Sequence, residues 1–336
     1  MTSTRPAPGA AGRRAGAGRA LAVLALVASA ALIPLLGPAA ALHGTGEAEA
    51  PGAGGVGLLR TVLFAALCIP VGELFVDRLA RSLPGSKSLS PRTPRSWSPP
   101  AAVAGFLAAL GLASIVATGN LMPGEVADVD LGGLYASRDG KLALLEVNAF
   151  LVAWLCAVSR RPVTQVWPLA AVVVAEALRA HPTTEHSPLV GSGLTLVHLL
   201  CAALWTGGLL HALRLLRLWH GRGGTSAGVS LLGLYARVAA VLLAAITATG
   251  VCSSLRRMPP ETILDQLTGT AYGRVLLAKV LLVAAVAVLA LWARHRLRRA
   301  ADPLTACAPA RAEVVALGLV VAASGLLTVV PVPIRW

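Results

Sequence analysis

The chain has 336 residues, of which 56% are hydrophobic and only 13% are charged, with a formal net charge of +14. A soluble chain of this length cannot bury that much apolar surface, so the composition excludes a soluble enzyme and predicts an integral membrane protein. A large positive charge is typical of nucleic-acid binding in soluble proteins. Here the arginines flank apolar runs and form no single basic face, so we expect the lipid bilayer as the partner and no nucleic acid.

Apolar runs of about 20 residues, the length that crosses a bilayer as a helix, recur along the chain. They predict an all-α fold, a polytopic transmembrane helix bundle of eight or nine helices. The predicted spans are Leu21–Leu42, Gly57–Val76, Ala101–Met122, Leu142–Val158, Val166–Ala180, Leu189–Leu213, Leu231–Leu255, Gly273–Ala293 and Ala312–Pro331. The fifth is the shortest.

The first span has a second reading. An arginine-bearing segment, an apolar stretch and the small residues Ala39–Ala41 also fit a secretory signal peptide. The length of the apolar run favours a retained anchor, and cleavage would leave eight helices.

The distribution of cations predicts the orientation, because cytoplasmic loops of membrane proteins are enriched in Lys and Arg. With the N-terminus in the cytoplasm, 20 of the 29 Lys and Arg residues fall inside and 8 outside, and Lys279 lies within a helix. We therefore expect a multi-pass plasma-membrane protein whose C-terminus is outside.

Three regions follow from this division of the spans. Residues 1–42 form an arginine-rich tail with the first span, residues 43–180 a four-helix region, and residues 181–336 a second four-helix region. The Ser-, Pro- and Arg-rich stretch 82–100 is predicted to be a mobile cytoplasmic connector.

His198 is the first candidate metal ligand, because polar groups at membrane depth are costly and mark functional sites. It lies within the sixth predicted span, and Cys201 and Trp205 follow at one-turn and two-turn spacing on nearby faces of the same helix. Imidazole and thiolate both suit copper. The alternative is a packing histidine on a helix that Gly207 and Gly208 allow to approach its neighbours closely.

Further ligand-type side chains fall at the predicted outer ends of the helices. His181 and His186 bracket one outer loop, His43 follows the first span, and Cys252 lies one turn inside the seventh. Each alone is an ordinary loop or helix-end residue, but together they could collect a soft metal ion. The five cysteines are far apart, with no pair at zinc-site spacing.

Glu146, Glu176 and Lys279 are ionisable residues within predicted spans. We expect them to balance charge inside the bundle through ion pairs, and the alternative is a gate or proton relay.

The C-terminal half, from about His181 to Pro333, resembles the copper resistance protein D (CopD) family. Four blocks carry the resemblance: His198 through Trp205 to Gly207 and Gly208; Tyr235-Ala-Arg237 leading to Thr249-Gly250; Leu267 through Tyr272, Gly273 and Arg274 to Lys279; and Glu313 followed by an apolar helix that ends Pro331-Val-Pro333. The resemblance implies a plasma-membrane protein of copper transport or tolerance that works with a periplasmic copper-binding partner. Where the family tends to place other polar residues after Thr-Gly, this chain has Cys252, Ser253 and Ser254.

We therefore expect a protein that moves copper ions across the membrane, with no organic cofactor and no catalytic residues. Two alternatives remain. One is a b-type cytochrome, which needs histidines on facing helices to ligate haem, whereas His198 and His211 lie about 20 Å apart on one helix. The other is a copper-sensing or assembly subunit through which copper does not pass. No nucleophile–base group or phosphate-binding loop is present in the sequence, so we do not expect an enzyme.

Overall fold

The computed structural model describes residues 9–83, 94–119, 130–181, 183, 187–220, 225–258, 260–299 and 307–332. Most of these residues are helical, and there is no strand among them. The helices are α1 Gly9–Leu42, α2 Ala53–Arg81, α3 Ser98–Thr118, α4 Leu131–Ala136, α5 Arg138–Val158, α6 Val166–Arg179, α7 Pro188–His220, α8 Thr225–Arg257, α9 Ile263–Gly269, α10 Ala271–Arg299 and α11 Cys307–Leu327, with a 3-10 helix at Pro162–Gln165.

Eight of these helices are long and apolar enough to cross a membrane, which confirms the predicted all-α multi-pass bundle. They are α1, α2, α3, α5, α7, α8, α10 and α11.

The fifth predicted span, Val166–Ala180, is the exception. It forms α6, which has 14 residues and is about 21 Å long. Helix α6 nevertheless returns to the level where α5 begins. Arg138, the first residue of α5, donates to the backbone carbonyls of Leu178 and His181, at the end of α6, at 2.6 and 3.2 Å. Together with the preceding 3-10 helix, α6 therefore runs antiparallel to α5 across most of the same thickness.

Contacts between helix ends divide the bundle into two sides. On one, which we call the Tyr272 side, Glu47 accepts from the backbone N–H of Ala271, and Arg274 donates to the carbonyl of His43. On the opposite side, which we call the Arg214 side, Arg214 pairs with Glu73. The end of α1 and the start of α10 thus share one side, and the ends of α2 and α7 share the other, in agreement with the predicted alternation at these helix ends. That the Tyr272 side is outside remains a prediction from the distribution of cations.

Helices α2 and α7 are shared between the two halves of the bundle. One buried apolar cluster joins α2 to α3, α5 and α6 around Leu63 and Phe150. A second joins the end of α2 to α7, α8 and α11, and through Val286 to α10, around Trp205 and Leu231. A third, around Tyr272, holds α1, α10 and α11 together on the Tyr272 side.

Candidate functional site

His198 lies between α7 and α8, ten residues and about 15 Å after α7 begins. Its Nδ1 is 3.0 Å from Oγ1 of Thr249. The hydroxyl of Thr249 lies within hydrogen-bond reach of the carbonyls of Ala245, at 2.7 Å, and Ile246, at 3.1 Å. When the hydroxyl donates to one of these carbonyls, its Oγ1 accepts from Nδ1–H of His198, and in that neutral tautomer Nε2 carries the lone pair. Histidines that bind metals are held in this way, with one ring nitrogen fixed by a hydrogen bond.

Lys279 on α10 is near enough to His198 to interact with it electrostatically. Among the described residues, no carboxylate pairs with Lys279, although the sequence led us to expect an ion pair. A cation at His198 would be repelled by this ammonium group, so the compartment does not resemble a tight cation cage.

The two candidate thiols are placed differently from each other. Cys201 is half-buried and packs against the cluster around Trp205. Cys252 is exposed on the surface of α8. No group of three or more His, Cys, Asp or Glu that could hold a metal ion occurs in the part of the chain that the structure describes.

The candidate ligands on the Tyr272 side do not form one cluster either. His43 is exposed and accepts from Arg274 through its carbonyl. His181 is 3% exposed, and its Nε2 is 2.9 Å from Oγ1 of Thr195, which ties the end of α6 to α7. His186 lies outside the described residues.

The intramembrane carboxylates of the N-terminal half pair with arginines. Glu176 on α6 forms an ion pair with Arg60 on α2. Glu146 on α5, which is fully buried, pairs with Arg179 on α6 at 2.8 Å. Because a lone charge at this depth would be costly, the four side chains fix α2, α5 and α6 to one another.

A denser polar cluster, which sequence reasoning missed, surrounds Glu73 on the Arg214 side. The carboxylate of Glu73 accepts from Ser96, from the backbone N–H of Trp97, and from the N–H and hydroxyl of Ser98. It also pairs with Arg214 at 2.6 Å, and the guanidinium of Arg214 lies 3.8 Å above the ring of Trp97. The end of the stretch predicted to be a mobile connector is therefore bonded to α2 and α7, whereas residues 84–93 lie outside the described part.

Trp205 joins three helices two turns after His198. Its indole N–H donates to Glu313 on α11 at 3.3 Å, and its carbonyl accepts from the hydroxyl of Tyr235 on α8 at 2.5 Å. Trp205 is 3% exposed and Glu313 4% exposed. Trp205 therefore links α7 to α8 and α11 through hydrogen bonds within the C-terminal half of the bundle.

The glycines that follow Trp205 allow close approach. A Cβ atom on Gly207 would overlap the backbone of Cys68, and one on Gly208 would lie 2.9 Å from the ring of Tyr235. On the Tyr272 side, a Cβ atom on Gly273 would overlap the backbone of α9 at Gln266.

The hydroxyl of Tyr272 accepts from Arg257 at 3.0 Å, which links α10 to the end of α8.

Residues 229–330 match the family model described as Copper resistance protein D (CopD). No curated protein and no solved structure matches the chain. The match includes Thr249, Tyr272, Lys279 and Glu313, and so confirms the resemblance in the C-terminal part. It begins well after His181, where we had placed the start of the resemblance, and leaves the segment from His198 to Gly208 outside. What the comparisons establish is that residues 229–330, the C-terminal part of this multi-pass membrane protein, match the copper resistance protein D family.

Proposed function

We propose that this protein carries copper ions across the membrane and that the ring of His198 is a transient ligand on their path. The observation that carries the proposal is the hydrogen bond from Nδ1 of His198 to Thr249, since it presents Nε2 as an electron-pair donor within the bundle. The partner in that bond, Thr249, belongs to the stretch that matches the copper resistance family.

The sparse ligands favour passage over storage. A conduction path needs sites that are weak enough for the ion to leave. A single imidazole near a repelling ammonium group, with Cys201 one turn further along α7, meets that condition. The thiol favours Cu(I), whereas imidazole also accepts Cu(II).

The proposed path begins on the Tyr272 side, which the distribution of cations predicts to be outside. His43 is exposed there, and His186, which lies outside the described residues, shortly precedes α7 in the sequence. An extracytoplasmic copper-binding protein would deliver the ion to this surface. His181 and Cys252 are weaker candidates, because the first is buried and bonded to Thr195 and the second lies on the outer surface of α8.

Copper uptake into proteoliposomes tests the proposal. We expect His198→Ala to abolish accumulation. His211→Gln is the control, since His211 is a buried histidine on the same helix that is bonded to Asp77 at 3.0 Å. Equal accumulation by wild type and His198→Ala would remove His198 from the mechanism. Copper bound by purified wild type without any accumulation would instead support a sensing or assembly role.

A further inference from the structure

A cleft of about 190 Å³ opens between α8 and α10 on the Arg214 side of the bundle. The two helices hardly touch along their described lengths. The walls are mainly alanine, including Ala236 and Ala240 on α8 and Ala287 and Ala290 on α10. At its mouth Arg294 donates to the carbonyl of Ala236 at 2.8 Å. No part of the site around His198 lines this cleft.

The cleft ends short of His198 on all three helices that reach both places. On α7 the lining residue nearest to His198 is Trp205, which is seven residues and about 10 Å away. On α8 it is Leu243, six residues from Thr249. On α10 it is Ala287, eight residues from Lys279. The two compartments are therefore about 10 Å apart, and Trp205 lines the end of the cleft that faces His198.

The Trp205 indole donates to Glu313, which fixes the side chain, and the Trp205 backbone carbonyl accepts from the hydroxyl of Tyr235, which fixes the backbone at this point. Glu313 is the only carboxylate among the residues that line the cleft, and its only hydrogen bond within the described residues is the long one from the indole. Displacing the indole would leave a buried carboxylate facing the cleft, where it would attract a cation.

We propose that the cleft is the second half of the copper path and that Trp205 is the gate between this half and the His198 compartment. Glu313 holds the indole closed, Tyr235 holds the Trp205 backbone against α8, and Glu313 supplies the carboxylate oxygens that a passing copper ion meets when the indole moves. The apolar walls exclude water while the cleft is empty, as in other hydrophobic constrictions. This inference rests on the proposed function, which it extends to the Arg214 side.

Cys201 provides a reporter for the gate, because it lies on α7 between His198 and Trp205 and is half-buried. The other four cysteines are replaced by serine. Silver(I), a soft monovalent ion, is added to the Arg214 side of membrane vesicles. After timed quenching and denaturation, the Cys201 thiols that silver has not blocked are counted with a maleimide.

We expect Trp205→Phe and Tyr235→Phe each to speed the silver reaction at Cys201 about tenfold or more. The first removes the bond from the indole to Glu313, and the second removes the bond that holds the Trp205 backbone against α8. Trp219→Phe is the matched control, because Trp219 is equally buried in the same cluster but lies away from the cleft. If Trp205→Phe does not fold, as judged by size-exclusion chromatography, Tyr235→Phe decides the question alone.

Unchanged rates in both gate variants, or an equal increase in Trp219→Phe, would overturn the gate. Copper uptake is measured on the same vesicles. Failure of wild type to accumulate copper would overturn the proposed transport, whereas the silver rates still report whether Trp205 closes the cleft.

Discussion

Replacing Glu73 with glutamine should destabilise the protein more than any other single isosteric change on the Arg214 side. The substitution keeps the volume of the side chain but removes the charge that Arg214 faces at 2.6 Å. The carboxylate only accepts hydrogen bonds, whereas the amide that replaces it also carries an NH2 donor. That donor would face the groups of Ser96, Trp97 and Ser98, which are donors themselves.

The magnitude follows from burial. The side chains of Glu73 and Arg214 are 7% and 12% exposed, so solvent screens the pair weakly. Removing one partner of a buried ion pair costs about 3–5 kcal/mol. We expect about 3 kcal/mol for Glu73→Gln, since the amide oxygen retains some of the bonds. Asp77→Asn, which alters a carboxylate that is 38% exposed, should cost less than about 1 kcal/mol.

Reversible unfolding in mixed detergent micelles, followed by tryptophan fluorescence, measures both changes. A double-mutant cycle with Arg214→Met then isolates the pair: Arg214→Met should cost less once Glu73 has lost its charge, and the cost that remains comes from the other contacts of Arg214, including the ring of Trp97. The reasoning is refuted if Glu73→Gln costs no more than Asp77→Asn, or if the losses from Glu73→Gln and Arg214→Met simply add.

Two further predictions concern α7 and its neighbours. Lys279→Met should increase copper retention by the purified protein about tenfold, because unit charges even about 10 Å apart repel by about 1.7 kcal/mol at an effective dielectric of about 20. Equilibrium dialysis against copper measures the retention. Unchanged or weaker retention by the variant would contradict the repulsion. Gly207→Ala should lower the midpoint of thermal unfolding, because the added methyl group overlaps the backbone of Cys68. Gly193→Ala is the control, since Gly193 has open space around it. Equal midpoints for the two variants would show that α2 and α7 can separate without cost.

The positions of the spans could be predicted from the sequence because each apolar run contains its own signal. The contacts between Ala271 and Glu47 and between Arg214 and Glu73 agree with the predicted alternation at the helix ends that they join. Helix α6 gave the weakest signal, because its apolar run is short. Part of the length of this span is supplied by the 3-10 helix that precedes it.

The partners of the buried charges could not be predicted, because they join residues far apart in the sequence. The sequence marks Glu146 and Glu176 as costly at membrane depth. Their partners Arg179 and Arg60 are among the 8 cations that the predicted orientation places outside, so the sequence offers no reason to pair them with these carboxylates. The role of Glu73 was also missed, since nothing local shows that the residues before α3 fold back onto its carboxylate. The hydroxyl that orients His198 lies 51 positions away on α8.

The separation between Glu73 and Arg214 has a consequence for how the chain is made. The two residues are 141 positions apart, so at about 5–20 residues per second the ribosome needs roughly 7 to 28 s to travel from one to the other. During that interval the first carboxylate has left the ribosome and its guanidinium does not yet exist. Glu176 likewise emerges 116 positions after Arg60. The early helices must therefore wait in the insertion machinery or at the water interface, and the bundle closes only when α7 arrives.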